Sequence, residues 1–214
     1  MAQPVLVWNS GGMVSLVAMA MQEVGGDPDG MRPAVLWIDD GRPHGEVFRA
    51  AADRQASHYR IHMFQELALG HLRGSGHEGL AQQSTVMPLA RVQMLLAAAG
   101  MALRIGAGRL IWPVQVGSGF EDVARVTETV VLARQLIAAE HAQDIEIDTP
   151  LVEMTDVQLL EVGQQMGVPW ELGRSCTGST DEPCQQCAGC ARRVSAFREA
   201  NLEDPLLMAV VSGL

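Results

Sequence analysis

The four cysteines of this 214-residue chain lie close together near its carboxyl end. Seven residues separate the first from the second, and two residues separate each later pair. Cys-x-x-Cys spacing lets two thiolates face one tetrahedral metal ion, and further thiolates from a nearby loop complete the shell. Because four cysteines leave no open position for water or substrate, such an ion holds the fold instead of performing a reaction. The residues are Cys176, Cys184, Cys187 and Cys190.

Three chemistries fit a cluster of four cysteines: a structural zinc ion, an iron–sulfur cluster and a pair of disulfides. Disulfides suit an oxidising compartment, whereas cytoplasmic thiols are kept reduced. The first residues of the chain lack the basic flank and apolar core of a secretory signal. Structural zinc is therefore the favoured hypothesis, and an iron–sulfur cluster is the principal alternative.

A second chemical motif lies near the amino terminus, where residues 9–15 read Asn-Ser-Gly-Gly-Met-Val-Ser. Two adjacent glycines permit the backbone dihedrals that turn consecutive N–H groups inward. A helix that follows presents the positive end of its dipole to the same point. The loop is therefore suited to an anion such as phosphate, with a plain connecting turn as the alternative. It lacks the Lys-Ser/Thr ending of the Walker type, so backbone and hydroxyl groups would hold the phosphate.

Short apolar runs and apolar residues at helical intervals alternate along the chain. This alternation favours an α/β fold with a parallel sheet covered by helices on both faces. Thr155 is predicted to cap a further helix that ends near Gly163. The predicted strands span residues 4–8, 34–38, 60–64, 109–114 and 145–148, and the predicted helices span 16–21, 46–57, 88–105 and 123–143.

Ligands of parallel sheets collect at the carboxyl ends of the strands, so the loops that follow the strands should share one edge. This edge is predicted to carry the Ser10 loop, the loop Asp39-Asp40-Gly41 and the loop Gln115–Asp122. Segment 69–84 is rich in Gly, His, Ser and Gln. We expect a mobile loop there that becomes ordered when a ligand binds.

The composition narrows the class of partner. The chain carries 25 Asp and Glu against 15 Lys and Arg, a formal charge of −10. This balance argues against a broad nucleic-acid surface, because neutralising a phosphate backbone needs clustered cations, and a small-molecule substrate fits better. Since no apolar run approaches the roughly twenty residues of a membrane span, we expect no membrane association and a cytoplasmic location. The length suits one core, or one core with a small appendage.

With these motifs in this order, the chain resembles the 7-cyano-7-deazaguanine synthase family, the queuosine-pathway branch of the PP-loop ATP pyrophosphatases. The likeness runs nearly end to end and is strongest towards the carboxyl terminus. The matching segments are Gly41 with His44, Ser118-Gly119-Phe120 with Asp122, Thr149-Pro150-Leu151, Glu161-x-Gly163, Gly167-Val168-Pro169, Ser175-Cys176, Pro183-Cys184-x-x-Cys187-x-x-Cys190, Arg192, Ala196-Phe197 and Glu203-Asp204-Pro205.

The resemblance implies a Rossmann-like sheet of the adenine nucleotide alpha hydrolase type. Residues 1–150 would form the nucleotide-binding core, and residues 151–214 would form a small helical lobe that packs on the core and carries the zinc site. Members of the family activate the carboxylate of 7-carboxy-7-deazaguanine with ATP and convert it, with ammonia, to the nitrile. An ATP-dependent ligase is therefore expected, as a homodimer or with a partner subunit.

The resemblance also implies roles for individual residues, with magnesium accompanying the ATP. The ATP-binding residues would be Ser10, Gly11, Gly12, Met13, Ser15 and Leu16. The substrate-binding residues would be Gly41, His44, Arg91, Ser118, Gly119 and Phe120. The candidates for catalysis are Ser15, Asp40, His44 and Asp122.

The chain departs from the family pattern at two acidic positions, which here carry Val14 and Val116. A carboxylate beside a triphosphate holds magnesium directly or through water, and valine does neither. In one hypothesis, the neighbouring acids Asp39, Asp40 or Asp122 hold the metal instead. In the other, the chain is a catalytically degenerate member that binds a nucleotide or base as part of an assembly.

Overall fold

The computed structural model describes residues 3–25, 33–74, 85–141 and 143–206. Strands and helices alternate through the described chain, and two 3₁₀ turns lie at Gly70–Leu72 and Trp170–Leu172. The strands are β1 (Val5–Trp8), β2 (Ala34–Asp39), β3 (Phe64–Ala68), β4 (Arg73–Gly74), β5 (Thr85–Val86), β6 (Arg109–Ile111) and β7 (Glu146–Asp148). The helices are α1 (Met13–Gly25), α2 (Gly45–His58), α3 (Ala90–Arg104), α4 (Phe120–Glu140), α5 (Asp156–Gln165) and α6 (Ala188–Glu199).

Five strands form one parallel sheet in the order β3-β2-β1-β6-β7. The chain moves outward from β1 through β2 to β3 and then returns to the other side of β1 with β6 and β7. The strand order therefore reverses between β1 and β6, and a parallel sheet offers its ligand crevice at the carboxyl end of such a switch point. The predicted parallel sheet is confirmed.

Helices cover both faces of this sheet, as predicted. Because successive side chains of a strand point to opposite faces, Leu6 and Val7 of β1 belong to different cores. Val7 packs in the core that α1, α2, α5 and α6 share, and Leu6 packs in the core under α3 and α4. Leu160 and Phe197 place α5 and α6 in the first of these cores. A domain boundary at residue 150 stays a prediction.

Several predicted element boundaries were wrong, among them the end of the fourth strand, which was predicted at residue 114 and lies at Ile111. The third strand was predicted at 60–64, but β3 begins at Phe64 and Arg60 has a positive φ of 54° in the turn after α2. The edge strand β3 carries two consecutive polar residues, Gln65 and Glu66, and its apolar pattern is therefore weak. The loop predicted at Gln115–Asp122 ends earlier, because α4 begins at Phe120.

The structure describes residues 69–74 of the segment that was predicted as a mobile loop, 69–84, and these residues are ordered. Gly70–Leu72 forms a 3₁₀ turn, and β4 pairs with β5 in an antiparallel ladder of two residues each. Residues 75–84 lie outside the described residues. No helix in the described part of the chain is long and apolar enough to cross a membrane.

Candidate functional site

The Ser-Gly-Gly loop joins the carboxyl end of β1 to α1 and is tied together by its own polar groups. The side chain of buried Asn9 accepts the N–H of Gly11 at 2.7 Å. The hydroxyl of Ser15 accepts the N–H of Ser10 at 2.9 Å, and the hydroxyls of Ser10 and Ser15 lie 2.8 Å apart. Gly11 takes the left-handed φ of +77° that this tight turn requires.

The donors that the loop offers to a ligand come from the first turn of α1. The N–H of Leu16 bonds to the carbonyl of Gly12 at 3.1 Å and so begins the helical ladder. The N–H groups of Met13, Val14 and Ser15 precede this bond and have no carbonyl one turn back. Together with the positive end of the helix dipole, they make an arrangement suited to an anion, the anion seat, beside the crevice between β1 and β6.

Residues far away in the sequence form hydrogen bonds with the Ser-Gly-Gly loop. The buried amide of Gln55 on α2 donates to the carbonyls of Gly11 and Leu172, both at 2.9 Å. The backbone N–H of Arg174 donates to the carbonyl of Gly11, also at 2.9 Å. The loop therefore depends on both α2 and the carboxyl-terminal segment, contacts that sequence reasoning missed because they join residues far apart in the chain.

At the end of β2, the buried carboxylate of Asp40 forms ion pairs with two guanidinium groups. Arg42 donates to it at 2.8 Å and Arg73 donates at 3.0 Å. Burial raises the pKa of Asp40, but the hydrogen bonds and charges of the two arginines outweigh burial and hold the pKa below 3.8. Asp40 is thus ionised, and it links the end of β2 to Arg73 in β4.

We predict that Asp40→Asn lowers the free energy of unfolding by about 2 kcal/mol near neutral pH, because both guanidinium partners lose a charged acceptor. Because the folded-state pKa of Asp40 is depressed, its contribution is present above about pH 4 and is lost as the pH falls further. Urea unfolding across this range should show the difference between wild type and variant shrinking in acid. Exposed Asp53→Asn is the control, and a difference independent of pH would contradict the role of Asp40.

The other predicted residues of this loop lie close by. Gly41 has a φ of +77°, and a Cβ there would meet the carbonyl of Gly70 at 2.4 Å, so the loop packs closely on the 3₁₀ turn. His44 precedes α2 with a φ of 56°, and its Nδ1 lies 3.8 Å from the carboxylate of Glu46. Asp39 is exposed and accepts the N–H of Gly41 at 2.9 Å.

The loop after β6 opens onto the other side of the crevice. Trp112 stacks on Trp8, the last residue of β1, with ring centroids 6.0 Å apart. A cleft between α3 and α4 is lined by Trp112, Val116, Arg91 and Asp122. The structure thus brings together Arg91 and Asp122, which lie far apart in sequence.

The three substrate candidates on the following stretch do not share this cleft. Ser118 lines a separate cleft with Thr149 and Glu161, beside α5. Gly119 is the residue before α4, and Phe120 is 85% exposed. The candidates for substrate binding are therefore spread over neighbouring surfaces of one sheet edge, and their roles stay predictions.

The four cysteines converge on one point at the start of α6. Their sulfur atoms all lie within 4.8 Å of one another. Sulfurs around a tetrahedral zinc ion lie about 3.8 Å apart, because each Zn–S bond is about 2.3 Å, so a small contraction brings the four onto one ion. Cys176 and Cys190 are buried, whereas Cys184 is exposed. The residues present therefore fit a metal.

Backbone N–H groups and burial set the pKa values of the cysteine thiols. The N–H groups of Gly178 and Cys184 point to the sulfur of Cys176 at 3.3 and 3.2 Å. Hydrogen bonds from the N–H groups of Thr177 and Cys190 lower the pKa of Cys187 to about 5, whereas burial raises the pKa of Cys190 to about 12. Ionising all four sulfurs at this distance, including Cys190, would need a cation between them, which a metal supplies.

Comparison with known proteins decides the family. A family model described as "Queuosine biosynthesis protein QueC" matches residues 5–201. The chain belongs to the QueC family. A 7-cyano-7-deazaguanine synthase from Chlorobium phaeobacteroides is 29% identical over 218 residues, which covers 92% of this chain and 93% of that protein. The synthase from Archaeoglobus fulgidus is 32% identical over 128 residues, 59% of this chain and 53% of that protein.

Solved structures place the QueC-family chain in a wider fold group. The U34-tRNA thiolase NcsA from Methanococcus maripaludis aligns with a TM-score of 0.53 at 16% identity, over 99% of this chain and 71% of that chain. NAD+ synthetase from Burkholderia pseudomallei aligns with a TM-score of 0.50 at 13% identity, over 99% and 79%. These likenesses concern the fold alone.

One polar network ties the cysteine-bearing helix α6 of this QueC-family chain to the loop after β6. Arg192 donates to both carboxylate oxygens of Asp156 at 2.7 Å and to the side chain of Gln115 at 3.0 Å. Asp156 opens α5, whose predicted cap Thr155 is confirmed in a capping box with Gln158. Hydrogen bonds from Arg192 lower the pKa of Asp156 despite burial, so the network is charged at neutral pH.

The residues present do not form the magnesium site that the family pattern implies. Val14 and Val116 carry no ligand atom, and both are partly buried in apolar packing. The carboxylate of Asp40 is occupied by Arg42 and Arg73. Among the acids weighed from the sequence, Asp39 and Asp122 keep oxygen atoms in reach of solvent.

Proposed function

We propose that the protein is an ATP-dependent ligase that activates the carboxylate of a deazapurine acid, 7-carboxy-7-deazaguanine or a close relative. A carboxylate oxygen attacks the α-phosphorus of ATP and pyrophosphate leaves, and ammonia then displaces AMP to give the amide. A second ATP activates the amide oxygen in the same way, and loss of AMP and a proton from the activated amide gives the nitrile. The observation that carries the proposal is the anion seat at the start of α1, placed at the switch point of a QueC-family sheet.

In this proposal the protein works mainly by positioning and by charge neutralisation. Phosphate oxygens accept the N–H groups of Met13, Val14 and Ser15, beside the hydroxyl of Ser10. The loops at Gly41–His44 and Ser118–Phe120 hold the acid substrate at the same edge of the sheet.

The four cysteines hold structural zinc in this proposal. Arg192 on α6 is hydrogen-bonded to Asp156 and to Gln115 in the loop after β6, so the position of α6 restrains the position of that loop. The metal thus supports the ligand edge without taking part in the reaction.

The two valines favour a second candidate function, a nucleotide- or base-binding protein without turnover that serves an assembly. Val14 lies within the anion seat itself and packs against the core, so the seat keeps its backbone donors and lacks the family's acid. Such a chain would bind ATP and release no pyrophosphate.

A pyrophosphate-release assay with ATP, ammonia and 7-carboxy-7-deazaguanine separates the two functions. The ligase proposal predicts release by the wild type that depends on the acid. If the wild type binds ATP by calorimetry and releases nothing, while Val14→Asp gains release and the control Val14→Asn does not, the second function holds. Absence of ATP binding in folded protein would refute both.

A further inference from the structure

The cleft between α3 and α4 carries two arginines beside Val116, which stands where the family pattern places an acid. Arg91, at the start of α3, and Arg125, on the first turns of α4, line the same cleft as Val116. The side chain of Arg91 makes no ion pair or hydrogen bond with the residues that the structure describes. Arg125 has only a loose contact of 3.9 Å with Asp122, and its side chain is 74% exposed.

The position of this cleft links it to the anion seat. The chain leaves β1 towards α1 on one face of the sheet, and it leaves the neighbouring strand β6 towards α4 on the other face. A ligand in the crevice therefore has the seat on one side and the cleft on the other. Trp112 lines the cleft and stacks on Trp8, which lies two residues before Ser10.

The charges of this cleft favour an anion over a metal ion. Its lining residues include Arg91, Arg125 and one acid, Asp122. A cation at Asp122 would have to approach the guanidinium of Arg125, 3.9 Å from that carboxylate, and would find no second carboxylate at Val116. Guanidinium groups supply fixed, paired donors to phosphate oxygens, and they keep their charge at any physiological pH.

We propose that Arg91 and Arg125 neutralise the polyphosphate of ATP in this protein, so that nucleotide binding does not require magnesium. The inference rests on the proposed binding of ATP at the Ser10–Ser15 loop. It moves Arg91 from the predicted substrate contacts to the phosphates, and it adds Arg125, which sequence reasoning did not single out.

The test is calorimetric titration of ATP into the full chain, with and without magnesium. The magnesium-free buffer contains no chelator, so the cysteine site keeps its metal. We expect the two Kd values to agree within about threefold, and Arg91→Gln and Arg125→Gln each to weaken ATP about tenfold in both buffers, the loss of one charge-assisted contact. The matched controls are Arg104→Gln on α3 and Arg134→Gln on α4, which remove the same charge from the same helices away from the cleft.

Magnesium dependence with wild-type affinity in both cleft variants would overturn the inference while leaving the ligase proposal intact. Loss of affinity in Asp122→Asn only when magnesium is present would do the same, because it would place the metal on Asp122. Absence of ATP binding under both conditions would remove the inference together with the proposed function. Circular dichroism of each variant confirms that the chain is folded.

Discussion

Replacement of Cys176 by serine is expected to abolish stoichiometric metal binding and to lower the free energy of unfolding by about 4 kcal/mol or more, as loss of a structural metal does. Cys176 is 3% exposed, and its sulfur accepts the N–H groups of Gly178 and Cys184. The loss of order should extend from the cysteine loop to the Ser-Gly-Gly loop. Arg174 connects the two, because its side chain donates to the carbonyls of Gly178 and Thr180 and its backbone N–H donates to the carbonyl of Gly11.

Elemental analysis and thermal unfolding of purified protein check this result. The wild type should carry one zinc per chain. An absorption band at about 400 nm together with bound iron would instead support the iron–sulfur alternative. Exposed Ser179→Ala, in the same loop, is the control and should keep both metal and stability. Full metal content in Cys176→Ser would contradict a four-cysteine site.

The second large effect is expected from Gly11→Ala, which should weaken ATP binding at least a hundredfold. A Cβ at Gly11 would lie 2.3 Å from the carbonyl oxygen of Phe48 and 3.2 Å from Ala51, and the backbone has a φ of +77°. Since the clash is with backbone, the loop itself must move, and the donors of α1 lose their alignment. A loss of about 2–4 kcal/mol in stability accompanies this change.

Gly106→Ala provides the matched control for this loop variant. Gly106 has a similar φ of +73°, but a Cβ there meets nothing within 4 Å. Backbone strain alone costs about 1 kcal/mol, and ATP affinity should stay at the wild-type value. Equal ATP affinities in Gly11→Ala and wild type would show that the nucleotide does not rest on this loop.

Local patterns predicted the parts of the fold that depend on local rules. Apolar runs located β1, β2 and β6, and the capping residue Thr155 located the start of α5. The edge strand β3 was displaced in the prediction because polar residues such as Glu66 interrupt its apolar pattern. The spacing of the four cysteines also predicted that they share one site, and the structure confirms that their sulfurs lie together.

Contacts across long sequence separations escaped prediction. Nothing in the neighbourhood of Gln55 indicates that its amide will reach Gly11 and Leu172, because the contact exists only after α2 and the carboxyl-terminal segment have packed. Asp40 appeared free for catalysis or metal binding in the sequence, and only the fold brings Arg73 to it. The departure at Val116 was visible in the sequence, but the arrangement of Arg91 and Arg125 along the same cleft was not.

A crystal of the protein soaked with a non-hydrolysable ATP analogue tests the central claim most directly. We predict phosphate oxygens within about 3.2 Å of the N–H groups of Met13, Val14 and Ser15, with the polyphosphate extending towards Arg91. A nucleotide bound at another edge of the sheet, with the start of α1 free of phosphate, would contradict it.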